Sequence, residues 1–482
     1  MVQFLTNYWP YLIEGLALIV GVTSAGHAIM TKRDVRSAIS WTAIALLSPF
    51  AGALFYVIFG INRIRFKKLL RKRRAAIARL VPEEGPSRIE EIKTHFMPER
   101  FLPMKHLGDA VADFPLLSGN RVEPFQSGDS CYESMIKTID QAKTWVLLET
   151  YIFDDDSVGQ RFVERLAAAS ERGVAVRVLL DAIGSRYSRP SICARLSAAK
   201  LPFALYMGSV IGLRLPYANL RTHRKLLIVD GAVCFMGGMN IRAEFSIAEM
   251  GEKVNFDTHF RIMGPVVEDF SYVFAGDWLF ASGELLPEEA TAPVCRKVPG
   301  GKSARVVPSG PDHQIECTHD MIMGVLSIAT KRVVISTPYF LPDRQLIGAL
   351  AVAARRGVLI DILLPTRSNL PIVDFAVTAQ LEEIIEIGCH VWHSAGPFDH
   401  SKLMAVDGEW TYVGSSNFDP RSFRLNFEID LEVYDPNLAA WIENHIDAHI
   451  AVATPVTAGD LANHKFWRRL RDRTCWLASP YL

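Results

Sequence analysis

Residues 222–240 read THRKLLIVDGAVCFMGGMN, and residues 399–417 read DHSKLMAVDGEWTYVGSSN. Both follow the spacing H-x-K-x4-D-x6-G-(G/S)-x-N. The first copy places His223, Lys225, Asp230, Gly237, Gly238 and Asn240; the second places His400, Lys402, Asp407, Gly414, Ser415 and Asn417. Side chains two apart on a strand share a face, so each His–Lys pair addresses one point in space. The apolar runs LLIV and LMAV predict buried strands, and Asp-Gly after each predicts a hairpin turn. The returning strand then brings small residues and an Asn back towards the pair. A lone H-x-K arises readily by chance; two copies of the whole spacing do not.

Working outward, the surroundings also repeat. In one copy a helical pattern (132–143) precedes the strand-like TWVLLETYIF (144–153), the amphipathic VGQRFVERLAAASERG (158–173) and the strand VAVRVLLD (174–181). In the other, HDMIMGVLSIATK (319–331) precedes RVVISTPYFLPD (332–343), a helix over 346–356 and VLIDILLP (358–365). Both carry Arg-Gly-Val at the helix-to-strand joint, where Gly is an expected cap. Val-, Ile- and Leu-rich strands alternating with helices point to α/β lobes whose sheet is covered on both faces. The expected organisation is a membrane hairpin at 1–61, a basic juxtamembrane segment and linker at 62–125, lobes at 126–283 and 313–482, and an irregular connection at 284–312.

The hairpin is read from two apolar stretches. Residues 38–61 carry no charge and are long enough to span a bilayer, with Pro49 inside. Residues 11–30 predict a first span, with Glu14 and His27 near its ends. A cleaved signal peptide fits less well, because the start lacks Lys and Arg. The run Arg63, Arg65, Lys67, Lys68, Arg71, Lys72, Arg73 and Arg74 follows. The positive-inside rule places it, and the lobes after it, in the cytoplasm. The same run suits anionic headgroups.

Composition agrees with an anchored enzyme: 49% of residues are hydrophobic. Lys+Arg and Asp+Glu number 52 each, so no global field recruits nucleic acid. Seven scattered cysteines without a CxxC fit a reducing compartment. Cys389, His390 and His393 lie close in sequence, but strand alternation sends Cys389 and His390 to opposite faces.

The chemistry follows from the residue types. Phosphoryl transfer needs a nucleophile, a proton donor for the leaving group and positive charge for the phosphoryl oxygens. Histidine suits either of the first two roles. Lysine supplies the third. Two copies facing one phosphorus permit an in-line double displacement, and no cofactor or metal is needed.

This pattern resembles the HKD signature of the phospholipase D superfamily, from about residue 125 to the C-terminus. Within it, the chain is similar to bacterial cardiolipin synthases in its membrane hairpin, ETYIFDDD (149–156), TPYFLPD (337–343), SNFDPRS (416–422) and the tail Leu477-Ala478-Ser479-Pro480. The resemblance implies phosphatidyl transfer between two phosphatidylglycerol molecules through a phosphohistidine, in a bacterial inner membrane. By analogy His223 is the nucleophile and His400 the acid/base. Lys225, Lys402, Asn240, Asn417 and Ser415 would hold phosphoryl oxygens. Asp230 and Asp407 would belong to the catalytic motif, bracing the lobe interface and the lysine charges. A later carboxylate orients each His in the family. The candidates are Asp257 and Glu428, each about thirty residues beyond its own copy's His. Tyr151 and Tyr339 occupy equivalent positions, as cleft or packing residues. Other outcomes of the same motifs are a hydrolase acting on phospholipids or nucleic acid, and a phosphatidylserine synthase, which the N-terminal hairpin and TPYFLPD disfavour. An inactive scaffold is disfavoured by two intact motifs. The lipid acceptor stays open between phosphatidylglycerol and phosphatidylethanolamine.

Overall fold

The computed structural model describes residues 2–32, 34–60, 97–207, 220–291, 297–312 and 314–482. The chain divides into two compact units, Met1–Lys67 and Lys68–Leu482. The basic run at 63–74 lies outside the described residues.

In the N-terminal unit one helix runs Val2–Thr31. The second apolar stretch is not the continuous span expected over 38–61. Its helix Val35–Leu47, capped by the Asp34 carboxylate on the Ser37 N–H, stops at Ser48. A short helix Pro49–Phe55 and a π turn Tyr56–Gly60 follow. Proline lacks an N–H and disfavours helical backbone at the residue before it, so Pro49 ends one helix and opens the next. Among the described residues, only Tyr8–Thr31 is a helix long and apolar enough to cross a membrane. Ala28 and Ala45 are fully buried on the two arms. A Cβ at Gly21 would sit 2.9 Å from the Ala45 carbonyl oxygen, so glycine there permits close backbone approach.

Among the described residues the large unit is built on one sheet of 16 strands, 15 of them in one continuous order and Arg221–Thr222 pairing beside it. From the centre outward, the first lobe contributes Leu117–Phe125, His259–Met263, Val233–Gly237, Leu226–Val229, Trp145–Thr150, Ala175–Asp181 and Phe203–Tyr206. The second contributes Lys302–Ser309, Asn426–Tyr434, Trp410–Gly414, Leu403–Val406, Arg332–Ser336, Leu359–Pro365, His390–Ser394 and Thr454–Val456. The two orders match strand for strand until the last. The lobes join where Leu117–Phe125 pairs antiparallel with Lys302–Ser309 across a register shift.

Each lobe closes its own core. Helices Gly128–Asp140 and Ser157–Glu171 cover one face of the first lobe, burying Ile136, Ile139, Phe162 and Leu166. Helices Cys317–Ile328 and Arg344–Arg355 do the same in the second, burying Ile322, Val325, Leu346 and Leu350. On the opposite faces lie Val266–Ser282 and Pro436–Ile450. Gly173 and Gly357 end equivalent helices, each at φ 89°.

Two stretches, one expected to be an irregular connection and the other a basic juxtamembrane segment and linker, contain regular structure. Residues 284–312 contain the central strand Lys302–Ser309, and residues 62–125 contain a helix, Leu102–Val111, and the central strand Leu117–Phe125. Buried Arg305 breaks the apolar pattern of the first. It pairs with Glu432 at 2.9 Å and Asp109 at 2.8 Å.

Both Asp-Gly pairs form the expected tight turns, with φ of 53° and 60° at Asp230–Gly231 and 56° and 70° at Asp407–Gly408. Their carboxylates do not face the active site or brace the lobe interface. Asp230 accepts from the N–H groups of Lys143, Thr144 and Trp145. Asp407 accepts from those of Thr330, Lys331 and Arg332 and from the Arg100 guanidinium at 2.5 Å. Each carboxylate pins the helix-to-strand turn of its own lobe to its own hairpin. Burial pushes Asp407 up, but these donors outweigh it and hold the group down at about 2. Replacing Asp407 with alanine strands several donors at once. It should cost about 3 kcal/mol of stability, read as a lowered thermal midpoint, while the folded fraction keeps its turnover. Loss of turnover in fully folded protein would return Asp407 to the catalytic set.

Candidate active site

Each His-x-Lys segment lies against the other lobe. Arg221–Thr222 pairs in parallel with Asn426–Phe427, and the His223 N–H donates to the Phe427 carbonyl at 2.8 Å. In the mirrored arrangement Phe256 bridges Asp399, and the His400 N–H donates to the Phe256 carbonyl at 2.7 Å.

This crossing decides the carboxylate partners. His223 Nδ1 lies 2.9 Å from Glu428 Oε2, and His400 Nδ1 lies 2.8 Å from Asp257 Oδ2. Asp257 and Glu428 therefore orient the imidazoles, but with partners exchanged from the within-copy expectation. Each carboxylate strand is central in its own lobe and edges onto the histidine of the other.

Lys225 and Lys402 are buried beside their histidines. Lys225 Nζ donates to the His223 carbonyl at 2.6 Å, and Lys402 Nζ to the His400 carbonyl. An ammonium has three N–H donors, so Lys225 keeps two for a phosphoryl group and Lys402, whose Nζ also lies 3.0 Å from His400 Nδ1, keeps one. Tyr151 packs edge-on to His223 with ring centroids 5.2 Å apart, and Tyr339 similarly faces His400 at 6.2 Å. Both tyrosines line the histidines, and Tyr339 also donates to Asn369.

Burial dominates the electrostatics. It drives both imidazoles well below their usual range, and the two lysines push the same way. Burial also lowers Lys225 to about 7 and Lys402 to about 8, although Glu428 and Asp257 oppose the shift. The two carboxylates rise for the same reason, Asp257 well above its usual range. Each lysine acts on both histidines, so the six groups form one electrostatic cluster. An arriving phosphodiester anion would draw both lysines to their charged form.

The remaining expected residues divide. The Ser415 hydroxyl donates to Glu428 Oε2 at 2.6 Å and accepts from the Ile429 N–H. It positions the carboxylate and is not placed to hold phosphate. Asn240 Oδ1 accepts from the Ile152 N–H at 3.1 Å, so any phosphoryl contact falls to its NH2 end. Asn417 is buried, and its Oδ1 has no hydrogen-bond partner among the described residues. Gly238 stands where the second lobe has Ser415. A Cβ there would lie 2.6 Å from both Asp257 oxygens, so only glycine admits this approach.

Several supporting residues escape the motif. Ser422 and Asn426 donate to Glu428 Oε1 at 3.0 and 3.1 Å. Arg224, fully buried between His223 and Lys225, donates to the Glu428 carbonyl at 2.9 Å and pairs with buried Asp277. A charge inside an apolar strand must find a partner; that was the available signal. Cys389 is buried and pushed up to about 12 by burial, whereas His390 is exposed on the other face. That alternation separates them as ligands.

Comparison with known proteins shows the family. The family described as "Cardiolipin synthase, PLD-like domain" matches residues 135–278 and 322–450. The family described as "Phospholipase_D-nuclease N-terminal" matches residues 19–60. The chain is 32% identical to cardiolipin synthase A of Pseudomonas aeruginosa over 99% of its length and 97% of the relative's. It is 29% identical to a cardiolipin synthase of Geobacillus thermodenitrificans, covering 99% and 96%. Among solved structures, phosphatidylserine synthase of Haemophilus influenzae shares the fold with a TM-score of 0.61 at 17% identity, over 79% of this chain and 100% of that one.

The lysines set a pH dependence. They carry charge below their pKa values, and charge favours phosphodiester binding. kcat/KM should therefore fall as pH rises through about 7 to 8, where Lys225 and then Lys402 lose their protons in the free enzyme. A profile flat to about pH 9 would count against the lysines as the phosphoryl cradle.

Proposed function

The chain belongs to the cardiolipin synthase family of the phospholipase D superfamily, and from that premise we propose that its paired site joins two phosphatidylglycerol molecules into cardiolipin and free glycerol. The observation that carries this reading is the crossed pair of His–carboxylate contacts, His223–Glu428 and His400–Asp257, with two buried lysines beside them. Two oriented imidazoles give the site one nucleophile and one proton carrier, and a double displacement requires both.

The steps balance as follows. His223 Nε2 attacks the phosphorus of one phosphatidylglycerol. The bond from phosphorus to the terminal glycerol oxygen breaks as His400, which takes up a proton once the phosphodiester anion offsets the lysine charges, gives that oxygen its proton. Neutral His400 then takes the proton of a hydroxyl on the second phosphatidylglycerol. The resulting oxygen attacks phosphorus, and the P–N bond returns its electron pair to His223. Lys225 and Lys402 balance the charge on the non-bridging oxygens throughout. Support for His223 as nucleophile comes from its partner. A phosphohistidine carries a fixed positive charge and gains from a carboxylate that stays ionised. Burial raises both carboxylates, Asp257 well above its usual range, whereas the Lys225 charge and the donors Ser415, Asn426 and Ser422 oppose the rise at Glu428.

The membrane reading extends to a multi-pass anchor in a bacterial inner membrane with the lobes on the cytoplasmic side. It is supported by the apolar helix Tyr8–Thr31, by the returning segment Val35–Gly60 and by the basic run beyond it. Lipid substrates held at a bilayer present alcohol groups to the intermediate and limit water.

Purified protein in mixed micelles of detergent and phosphatidylglycerol should release cardiolipin and glycerol in equal amounts. Phosphatidic acid as the main product would instead mean that water takes the intermediate. The roles separate with a phosphatidyl ester of p-nitrophenol, whose leaving group needs no acid. His400→Gln should release a burst approaching one nitrophenolate per chain and then turn over about 10³-fold more slowly than the unaltered enzyme. His223→Ala should give no burst; the reverse pattern would exchange the roles.

A further inference from the structure

The two lobes differ at one equivalent place. In the first, the residue between His and Lys is Arg224, whose guanidinium pairs with Asp277 on helix Val266–Ser282. In the second the matching residue is Ser401. Ala448, as far beyond Glu428 as Asp277 is beyond Asp257, matches the aspartate. The space that an ion pair fills in one lobe is therefore a cavity of about 410 Å³ in the other. It is lined by Ser401, Ala448, Asp399, His445, His449 and Trp441, among others.

We propose that this cavity is a divalent metal site of the Zn²⁺ class, with Asp399, His445 and His449 as ligands. One donor atom from each lies within 4.8 Å of the others. Bonds of ~2.1 Å at tetrahedral angles need separations of about 3.4 Å, a small inward movement of side chains that are only partly buried. His445 and His449 stand one turn apart on helix Pro436–Ile450, with ring centroids 4.5 Å apart. The Nε2 of His445 is buried with no hydrogen-bond partner among the described residues. Such an atom calls for an unseen ligand. Its ring is already held in place, stacked on Trp441 at 5.3 Å and touching Gln126 through Nδ1 at 3.2 Å. Turning the Gln126 amide over, which exchanges its N and O, lets it accept the Nδ1–H as the outer partner of a metal-bound imidazole does. One Asp399 oxygen accepts from the Ser401 N–H at 2.8 Å, which fixes the carboxylate and leaves its other oxygen for the ion. Two imidazoles and one carboxylate suit zinc, and the remaining volume admits water as a further ligand. The ion would place positive charge behind His400 where Arg224 places it behind His223.

The test uses the full chain in detergent, stripped by a chelator and titrated with Co²⁺ and then Zn²⁺. The expected result is one Co²⁺ per chain, with the visible bands of a four-coordinate nitrogen and oxygen site, displaced by one Zn²⁺. His445→Gln and His449→Gln should each weaken Zn²⁺ binding about 100-fold, with thermal unfolding of the metal-free protein unchanged. The exposed His106→Gln should bind as the unaltered chain does. No stoichiometric binding, equal binding in both ligand variants, or the charge-transfer bands of cysteine coordination would each overturn the proposal.

Discussion

The candidate site depends on an exchange: each motif imidazole takes its carboxylate from the other lobe. His223 meets Glu428 and His400 meets Asp257, and the exchange is built in the backbone before any side chain acts. The Phe427 and Phe256 carbonyls receive the histidine N–H groups across the same seam. Neither lobe alone therefore holds an oriented histidine. Docking the lobes, completing the tautomer-fixing contacts and closing the site are one event, and this explains why the sheet runs unbroken through both halves.

The same seam accounts for the charges. Two lysines, two carboxylates and two imidazoles share a region nearly closed to water. Isolated, any one of these ions would be costly to bury. Together they balance without a large net charge, and their protons redistribute when an anion enters. Burial lowers the lysines and raises the carboxylates, so a bound phosphodiester favours the charged lysines that the free site favours less. Fixed donors and charges of this kind need no rearrangement during reaction, which is the main source of electrostatic catalysis.

Much of this was legible in the sequence because it is local. The doubled motif located the histidines and lysines. The Val-, Ile- and Leu-rich runs located the outer strands, and Asp-Gly located the hairpin turns. What the sequence hid is non-local or disguised by charge. Asp257 and Glu428 were found, but not which histidine each serves, since chain distance says nothing about a crossing of lobes. Asp230 and Asp407 repeat as faithfully as the histidines, yet they serve their own turns; strict spacing marks any role the fold requires twice. Lys302–Ser309 was read as connection because the stretch around it is rich in Pro, Gly and Ala, and the partners that neutralise its Arg305, Asp109 and Glu432, lie far away in the chain. Pro49 was read as tolerable within a span, but the backbone at Ser48 breaks the helix.

Duplication gives a symmetric frame, whereas the double displacement proposed above is asymmetric: one histidine would bond to phosphorus and the other carry a proton. The departures from symmetry fall beside those two residues. Ser415 gives Glu428 a donor, and its counterpart Gly238 gives Asp257 none. Arg224 donates to the Glu428 backbone and sits in an ion pair, where the second lobe has Ser401 and open space. All of these tighten the surroundings of His223, whereas Asp257 Oδ1 has no hydrogen-bond partner among the described residues. A nucleophile must return to one geometry after each covalent step, and rigid support favours that. A proton carrier must serve two oxygens in turn, the leaving glycerol and the incoming lipid hydroxyl, and it gains from a partner held less firmly. The asymmetry between the lobes thus follows the asymmetry of the chemistry.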